Sequence, residues 1–397
     1  MVERRKRMNK HLIKAAILSI SILTVMAGAA VSPALADIQA AFPNSSETTI
    51  KLILTLPSLF IIPFTFISSY LTKKIAKKTI VLIGISFYVA GGAGGGLAAS
   101  IEWLLVCRAV LGIGVGFLMP ISTSLVSDFF DGRERTAVMG QVSASNNLGG
   151  IILFLSSGML AAISWRVTFS VYLVALVVAL IVVWFLPKRS PETIPIGTSL
   201  SPLPKKVYLL GGGLFFLILA FYSIPANMAL FIHEEGIGSS QMAGIIIAIA
   251  TATGLVAGIV LNKVNQLLNA YVIPIQLFLM AAGFLLVGFS SHLAFLAAGV
   301  ACMGFGFGII MPIVFDRVTR EVPRIQVVQA MALVTSLLFL GQFASPIILD
   351  GIGMIANQPS IRFIYQFVGT AMLIVSLAYL FIVYRVKNHS YLKEEGS

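Results

Sequence analysis

Charge is what this chain has least of. Only 11% of its 397 residues are Asp, Glu, Lys or Arg, against 58% hydrophobic, and its mean hydropathy is +0.98. A water-soluble fold of that length cannot hide so much apolar side chain, which excludes the soluble classes. Two cysteines, Cys107 and Cys302, make neither a disulfide framework nor a zinc spacing, and both fall within apolar runs. No nucleotide loop, nucleophile–base pair or metal-ligand cluster is present, and the segments between apolar runs are too short for an ATP-hydrolysing domain. The reading is a chain that is not an enzyme and needs no cofactor. Carboxylates are missing where they would matter most, since no Asp or Glu falls in the middle of an apolar run.

What the sequence does have is apolar runs long enough to cross a bilayer, which takes about 20 residues each. Twelve are expected, near 15–36, 50–71, 79–100, 103–129, 138–162, 167–186, 207–229, 241–261, 270–290, 293–315, 326–349 and 361–384. The first follows a basic stretch and ends in Ala34-Leu-Ala36, which imitates a cleavable signal peptide. Its length argues for a retained helix. The expected organisation is a basic tail over 1–14, six helices over 15–186 and a linker over 187–206. Six helices over 207–384 and a tail over 385–397 complete it. Of the 27 lysines and arginines, all but Lys51, Arg108, Arg166 and Arg362 fall on one side of this map. Loops on the other side carry Asp37, Glu47, Glu234 and Glu235. The net charge of +12 is thereby assigned to a membrane surface rather than to nucleic acid. Both termini are expected to be cytoplasmic in a bacterial inner (plasma) membrane.

One stretch occurs twice. Gly112-Ile-Gly-Val-Gly116-Phe-Leu-Met119-Pro120 returns, 192 positions on, as Gly304-Phe-Gly-Phe-Gly308-Ile-Ile-Met311-Pro312. Glycines four apart share a helix face and let helix backbones approach closely, and each proline is expected to bend its helix. Glycine-faced, bent helices at matching places in both halves suggest a two-fold-related transporter.

Local motifs carry a resemblance. Leu104-xxx-Arg108-xx-Leu111-Gly112 resembles the fourth-helix motif of the major facilitator superfamily, which places one arginine in the membrane. Phe129-Phe-Asp-Gly-Arg-Glu-Arg135-Thr-Ala-Val-Met-Gly140 is similar to that superfamily's loop between helices 4 and 5. Ser164-Trp165-Arg166 resembles a segment of its twelve-helix drug and metabolite exporters. The resemblance covers the whole chain and implies an all-α polytopic membrane protein of two pseudo-symmetric six-helix bundles. Two departures stand out. Ser69-Tyr-Leu-Thr-Lys73-Lys74-Ile-Ala76-Lys77-Lys78 replaces an acid and two glycines of the family's loop between helices 2 and 3, which puts a cytoplasmic latch in doubt. In helix 5, Leu153-Phe154 and Ser157-Gly158 stand where antiporters of the superfamily show Gly-Pro and Gly-Gly.

Candidate working residues follow from the cost of burying polarity in hydrocarbon. Arg108 is the charge well inside a span and, with Asp37, is the candidate for coupling. Met119, Gln141, Ser145, Asn146, Tyr222, Asn227, Met311 and Gln342 are cavity candidates, with a helix break expected at Pro225. Gly112, Gly116, Pro120, Gly304, Gly308 and Pro312 are candidates for gating and bending. The expected function is secondary active transport by rocking two halves about a central site, as proton-coupled efflux of small drug-like or metabolite molecules. The expected partners are a small-molecule substrate, protons and the bilayer, for a monomeric protein. Uptake or exchange of a small organic anion held by Arg108 is the alternative, and a non-transporting receptor or scaffold is the third reading.

Overall fold

The structure, a computed structural model, describes residues 2–188, 202–323 and 326–394, and every regular element among them is helical. In chain order these are α1 (Val2–Ala29), α2 (Leu35–Ala41), α3 (Glu47–Leu71), α4 (Lys77–Gly94), α5 (Ile101–Phe129), α6 (Gly132–Ile163) and α7 (Trp165–Thr168). Then come α8 (Val174–Phe185), α9 (Lys205–Glu234), α10 (Ser240–Leu268), α11 (Val272–Phe289), α12 (Leu293–Arg320), α13 (Val327–Ile355) and α14 (Ile361–Glu394). Most of the expected linker lies outside the described residues.

By length and composition, eleven stretches among the described residues are able to cross a membrane. One of them, Ser240–Phe289, is 50 residues long, or about 75 Å of helix, twice what a bilayer core requires. It is two spans, α10 and α11, parted at Asn269, whose φ is 47°. Asparagine tolerates a positive φ better than most residues, and the turn it makes here ends the first of the two helices. Twelve spans result, as expected, arranged as two six-helix bundles.

The first span differs from its expected form. It begins at Val2 rather than near residue 15, so the basic tail continues the helix. It is interrupted by a turn at Ala30–Val31 and a 3-10 segment, Ser32–Ala34, before resuming as α2. Pro33 brings no N–H to the helical ladder, which explains why the break falls there. The counterpart 192 positions on is Pro225, and here the expectation fails the other way. Residue 225 sits inside α9, which stays helical throughout.

The repeated glycines position the helices within each bundle. A Cβ on Gly112 would come 2.5 Å from the Pro57 carbonyl oxygen, and one on Gly116 would come 2.6 Å from Phe64, both on α3. Gly114, between them, faces α4, where an added Cβ would lie 2.6 Å from the Tyr88 nitrogen. In the second bundle Gly304 lies against Ala250 and Gly308 against Gly254, both on α10, while Gly306 meets Met280 and Gln276 on α11. The motif therefore seats the fourth helix of each bundle against its second and third by backbone contact, the geometry that small residues allow in lipid. Gly91 does the same for α4 against α5, where an added Cβ would lie 2.5 Å from the Cys107 carbonyl.

Short turns at the end away from the lysines begin helices with serine caps. The Ser46 side chain accepts from the Thr49 nitrogen and the Ser100 side chain from that of Trp103, each worth about 1 kcal/mol. At the basic end the lysines bind within their own bundle. Lys77 donates to both carboxylate oxygens of Asp128 at 2.8 and 2.7 Å, and Lys78 to the Val183 carbonyl.

Candidate functional site

The two bundles meet along a seam that is tight at one end and splayed at the other. At the end away from the lysines, a Cβ on Gly158 of α6 would come 3.2 Å from the Gly244 Cα of α10. Midway, a Cβ on Gly150 would find Thr251 at 3.5 Å, and at Gly140 and Gly258, nearer the basic end, nothing lies within 4 Å. Polar contacts across the seam follow the same gradient. Ser32 donates to the Pro225 carbonyl, Ser240 to Asp37 at 2.5 Å, and Lys51 and Thr48 to the two Asp350 oxygens at 2.9 and 2.8 Å. All four lie at or beyond the break in the first span. The molecule is closed at its acidic end, called the outer seam below, and open towards its basic end.

Above the middle of this seam is a cavity of about 260 Å³. Its walls come from α1, α3 and α6 of the first bundle and α9, α10 and α13 of the second, the first, second and fifth spans of each. Two pairs in the wall, Ser58 with Ala250 and Gly150 with Gln342, stand 192 positions apart. The polar contributors are Thr24, Ser58, Tyr222, Thr251 and Gln342, and three phenylalanines, Phe154, Phe221 and Phe339, supply flat apolar surface. Among the described residues, no acidic or basic side chain lines it. Phe221 is backed by Phe307 of α12, ring on ring with centroids 3.9 Å apart.

Tyr222 reaches across the seam. A Cβ on Gly28 of α1 would lie 2.7 Å from the Tyr222 hydroxyl and 3.7 Å from the Gln342 amide nitrogen. The bare glycine thus makes the space in which a hydroxyl and an amide of the second bundle meet the first.

Arg108 sits behind the cavity wall and is fully buried. Its Nε donates to the Ile53 carbonyl at 2.7 Å, and its two terminal nitrogens donate to the Tyr172 hydroxyl at 2.7 Å and the Ala27 carbonyl at 2.6 Å. The Tyr172 hydroxyl also donates to Ala27, at 3.0 Å. The break in the first span frees backbone carbonyls near its end, and Ser157 donates to the Ala30 carbonyl in the same way. Among the described residues no carboxylate forms a salt bridge with Arg108. Its positive charge is stabilised by two carbonyl dipoles and by the hydroxyl and ring of Tyr172, and Ala27, which supplies one of those carbonyls, lines the cavity.

The expected site residues divide accordingly. Tyr222 and Gln342 line the cavity together. Arg108 is one layer back, and Asp37 is at the outer seam with Ser240. Met119 and Met311 are partly buried against the bundle cores, away from the cavity. Gln141 is exposed on the open basic half of α6, and Ser145 and Asn146 are partly covered on the same stretch. They fall outside the cavity because the seam has already splayed there. Asn227 is buried off the cavity wall; its amide nitrogen donates to the Ser223 carbonyl of its own helix at 3.0 Å, while its side-chain oxygen has no hydrogen-bond partner among the described residues. His233 lies in the last turn of α9. Thr24, Ser58, Phe154, Phe221, Thr251 and Phe339 were not anticipated as lining. Applying the 192-residue offset to the neighbourhood of Gln342 would have found Gly150 and, on the adjacent helices, Ser58.

Known proteins agree with this architecture. The NarT protein of Staphylococcus aureus (strain MRSA252), described as a probable nitrate transporter, is 22% identical over 373 residues, covering 89% of each chain. Its namesake from Staphylococcus haemolyticus is 22% identical over 357 residues, 85% of this chain and 88% of its own. Among solved structures, the nucleoside transporter NupG superposes with a TM-score of 0.75 at 10% identity, covering 93% of this chain and 99% of the other. A bacterial homologue of the human lysosomal transporter Spinster, in an inward-facing and unoccupied conformation, gives 0.73 at 16% identity over 95% and 97%. At such identities these likenesses concern the fold. The family model described as Major Facilitator Superfamily matches residues 17–346, so the chain belongs to that superfamily and is a multi-pass membrane transporter.

Proposed function

We propose that this transporter carries a small anion through the central cavity by alternating access, coupled to inward movement of protons. The carrying observation is Arg108, a fully buried cation with no carboxylate partner among the described residues, whose carbonyl ligand belongs to a cavity-lining residue. In a low-dielectric wall such a charge makes the cavity positive, repels cations and attracts anions or strong hydrogen-bond acceptors. The Tyr222 hydroxyl and Gln342 amide supply donors directly at the cavity surface. The similarity to proteins described as nitrate transporters supports the same class of solute.

The cycle we infer rocks the two bundles about the cavity. In one state the outer seam is held by Ser32, Asp37, Lys51 and Asp350 with their partners, and the cavity opens to the basic end. In the other the splayed ends close and the outer contacts part. With the basic end cytoplasmic, both termini face the cytoplasm of a bacterial inner membrane. One chain contains every wall of the cavity, which supports a monomeric unit.

A second reading keeps the proton coupling and reverses the solute, as efflux of a neutral, drug-like or metabolite molecule. Three phenylalanines in the cavity wall favour it. Lipophilic cations fit neither reading. The test is thermal stabilisation and radiotracer flux in proteoliposomes with nitrate, short carboxylates, uncharged aromatics and a lipophilic cation. Saturable nitrate or carboxylate flux supports the anion reading. Flux of the uncharged aromatics alone would replace it with the second.

A further inference from the structure

The charged side chains at the outer seam are more than a clasp. Lys51 of α3 is 1% exposed and lies 2.9 Å from Asp350 of α13 and 3.2 Å from Glu47, one turn before it. Thr48 donates to the second Asp350 oxygen at 2.8 Å. Glu234, in the last turn of α9, is close enough to be influenced electrostatically by both Glu47 and Lys51. A single buried ammonium thus pairs with carboxylates from both bundles, with Glu234 of a third helix within electrostatic reach. The other charged groups nearby are His233, which also acts on Glu234, and Glu235, engaged by Arg362 of α14 at 2.6 Å. Asp37 of α2 is held by Ser240.

A second observation lies on the same helix. Thr55 is one turn below Lys51, is fully buried, and has a hydroxyl with no hydrogen-bond partner among the described residues. Ser58, one turn further, lines the cavity. Lys51, Thr55 and Ser58 stand at i, i+4 and i+7, one face of α3, spanning about 10 Å from the charged seam to the cavity. An unpartnered buried hydroxyl is costly unless something visits it.

We propose that Lys51, Glu47 and Asp350 form the proton-coupling site of the transport cycle, joined to the cavity by the hydroxyls of Thr55 and Ser58. This rests on the proton coupling proposed above. When the outer seam is open, Lys51 and Asp350 are apart and a carboxylate takes a proton from the outer solution. When it closes, the Lys51 ammonium comes back against that carboxylate and displaces the proton. The proton passes through water held at Thr55 and Ser58 into the cavity, by then open to the opposite side. One proton enters from one side and one leaves on the other, and the carboxylate returns to its starting charge.

The experiment places spin labels at the outer loops, Asn44→Cys and Gln358→Cys, with Cys107→Ser and Cys302→Ser, and measures their separation in nanodiscs. In the parent protein, moving from mildly alkaline to mildly acidic buffer is expected to add a longer-distance population. Asp350→Asn should show that population at every pH, and Lys51→Asp with Asp350→Lys should restore the closed seam. A parent distribution indifferent to pH overturns the proposal whatever the solute is. In proteoliposomes with nitrate as the probe, Thr55→Val should keep nitrate exchange at equal pH and lose accumulation driven by a pH gradient. Undiminished accumulation would remove the relay. If the parent moves no nitrate, the anion reading fails on its own and the labels still decide the coupling site.

Discussion

Gly158 of α6 and Gly244 of α10 touch backbone to backbone: a Cβ on Gly244 would lie 2.6 Å from the Phe154 carbonyl and 3.0 Å from the Gly158 Cα. The contact belongs to the closed end of the seam, since the same two helices have already separated by Gly140 and Gly258. A side chain placed here should therefore act on the conformational equilibrium rather than on folding. Gly244→Val is expected to wedge the outer end, at a cost of about 1–3 kcal/mol to the closed state. Each 1.4 kcal/mol of that moves the population about tenfold. The check is maleimide labelling of Ser58→Cys, which should become accessible from outside. Labelling confined to the basic side would show that the contact does not control opening.

Arg108 holds three helical segments at once, through Ile53 of α3, Ala27 of α1 and Tyr172 of the 3-10 turn before α8. These bonds make the guanidinium part of the packing of the first bundle. Arg108→Ala should abolish transport and destabilise the protein by about 1–3 kcal/mol for each buried acceptor left unpaired. Arg108→Lys keeps the charge but reaches fewer of the acceptors. It should retain anion selectivity with a lower melting temperature. Thermal unfolding in detergent beside nitrate flux separates the two roles, and an Arg108→Ala protein with normal flux would sink the assignment.

Much of this fold is legible in the sequence, and the reason is physical. Spans, their number and the two-fold repeat are written in hydropathy and in glycines whose absent side chains have one purpose in lipid. Contact across the seam was harder. Asn227 and Tyr222 are similar polar residues on one helix, yet one spends its amide on its own backbone and the other crosses to Gly28. Rotation of a helix by a few residues decides this, and no single-sequence pattern reports it. The first span shows the same limit. Pro33 and Pro225 occupy equivalent positions, but only the former falls where the helix breaks. There Ser157, Tyr172 and Arg108 donate to nearby carbonyls of the first span. At Pro225 the helix continues and its carbonyl accepts from Ser32. Sequence gives the proline, and tertiary partners decide what it does.

The paired prolines at the basic ends of α5 and α12 offer a test of the repeat. Pro120 and Pro312 remove the N–H that would reach the carbonyls of Gly116 and Gly308, four residues earlier. These are the glycines pressed against Phe64 and Gly254. Each motif thus combines a close contact with a weakened turn in the same place. Pro120→Ala and Pro312→Ala should each restore one backbone hydrogen bond, worth about 1 kcal/mol, and slow interconversion about fivefold. Single-turnover exchange measured against temperature checks this. Unchanged turnover in both variants would leave the repeat a packing device only.

Gly28 and Tyr222 supply the most specific prediction about the cavity. With 2.7 Å between an added Cβ and the Tyr222 hydroxyl, Gly28→Ala forces the phenol out of its seat and with it the Gln342 amide. Tyr222→Phe removes the hydroxyl, leaving room for the methyl while deleting one donor. Both single variants should weaken solute binding. In Gly28→Ala with Tyr222→Phe the clash is gone, so the pair should bind about as well as Tyr222→Phe alone, a non-additivity of about 1–2 kcal/mol. Isothermal titration with the transported solute measures all four corners of this cycle. Additive losses would mean that the two residues act separately, and that the hydroxyl over Gly28 does not contribute to the binding surface.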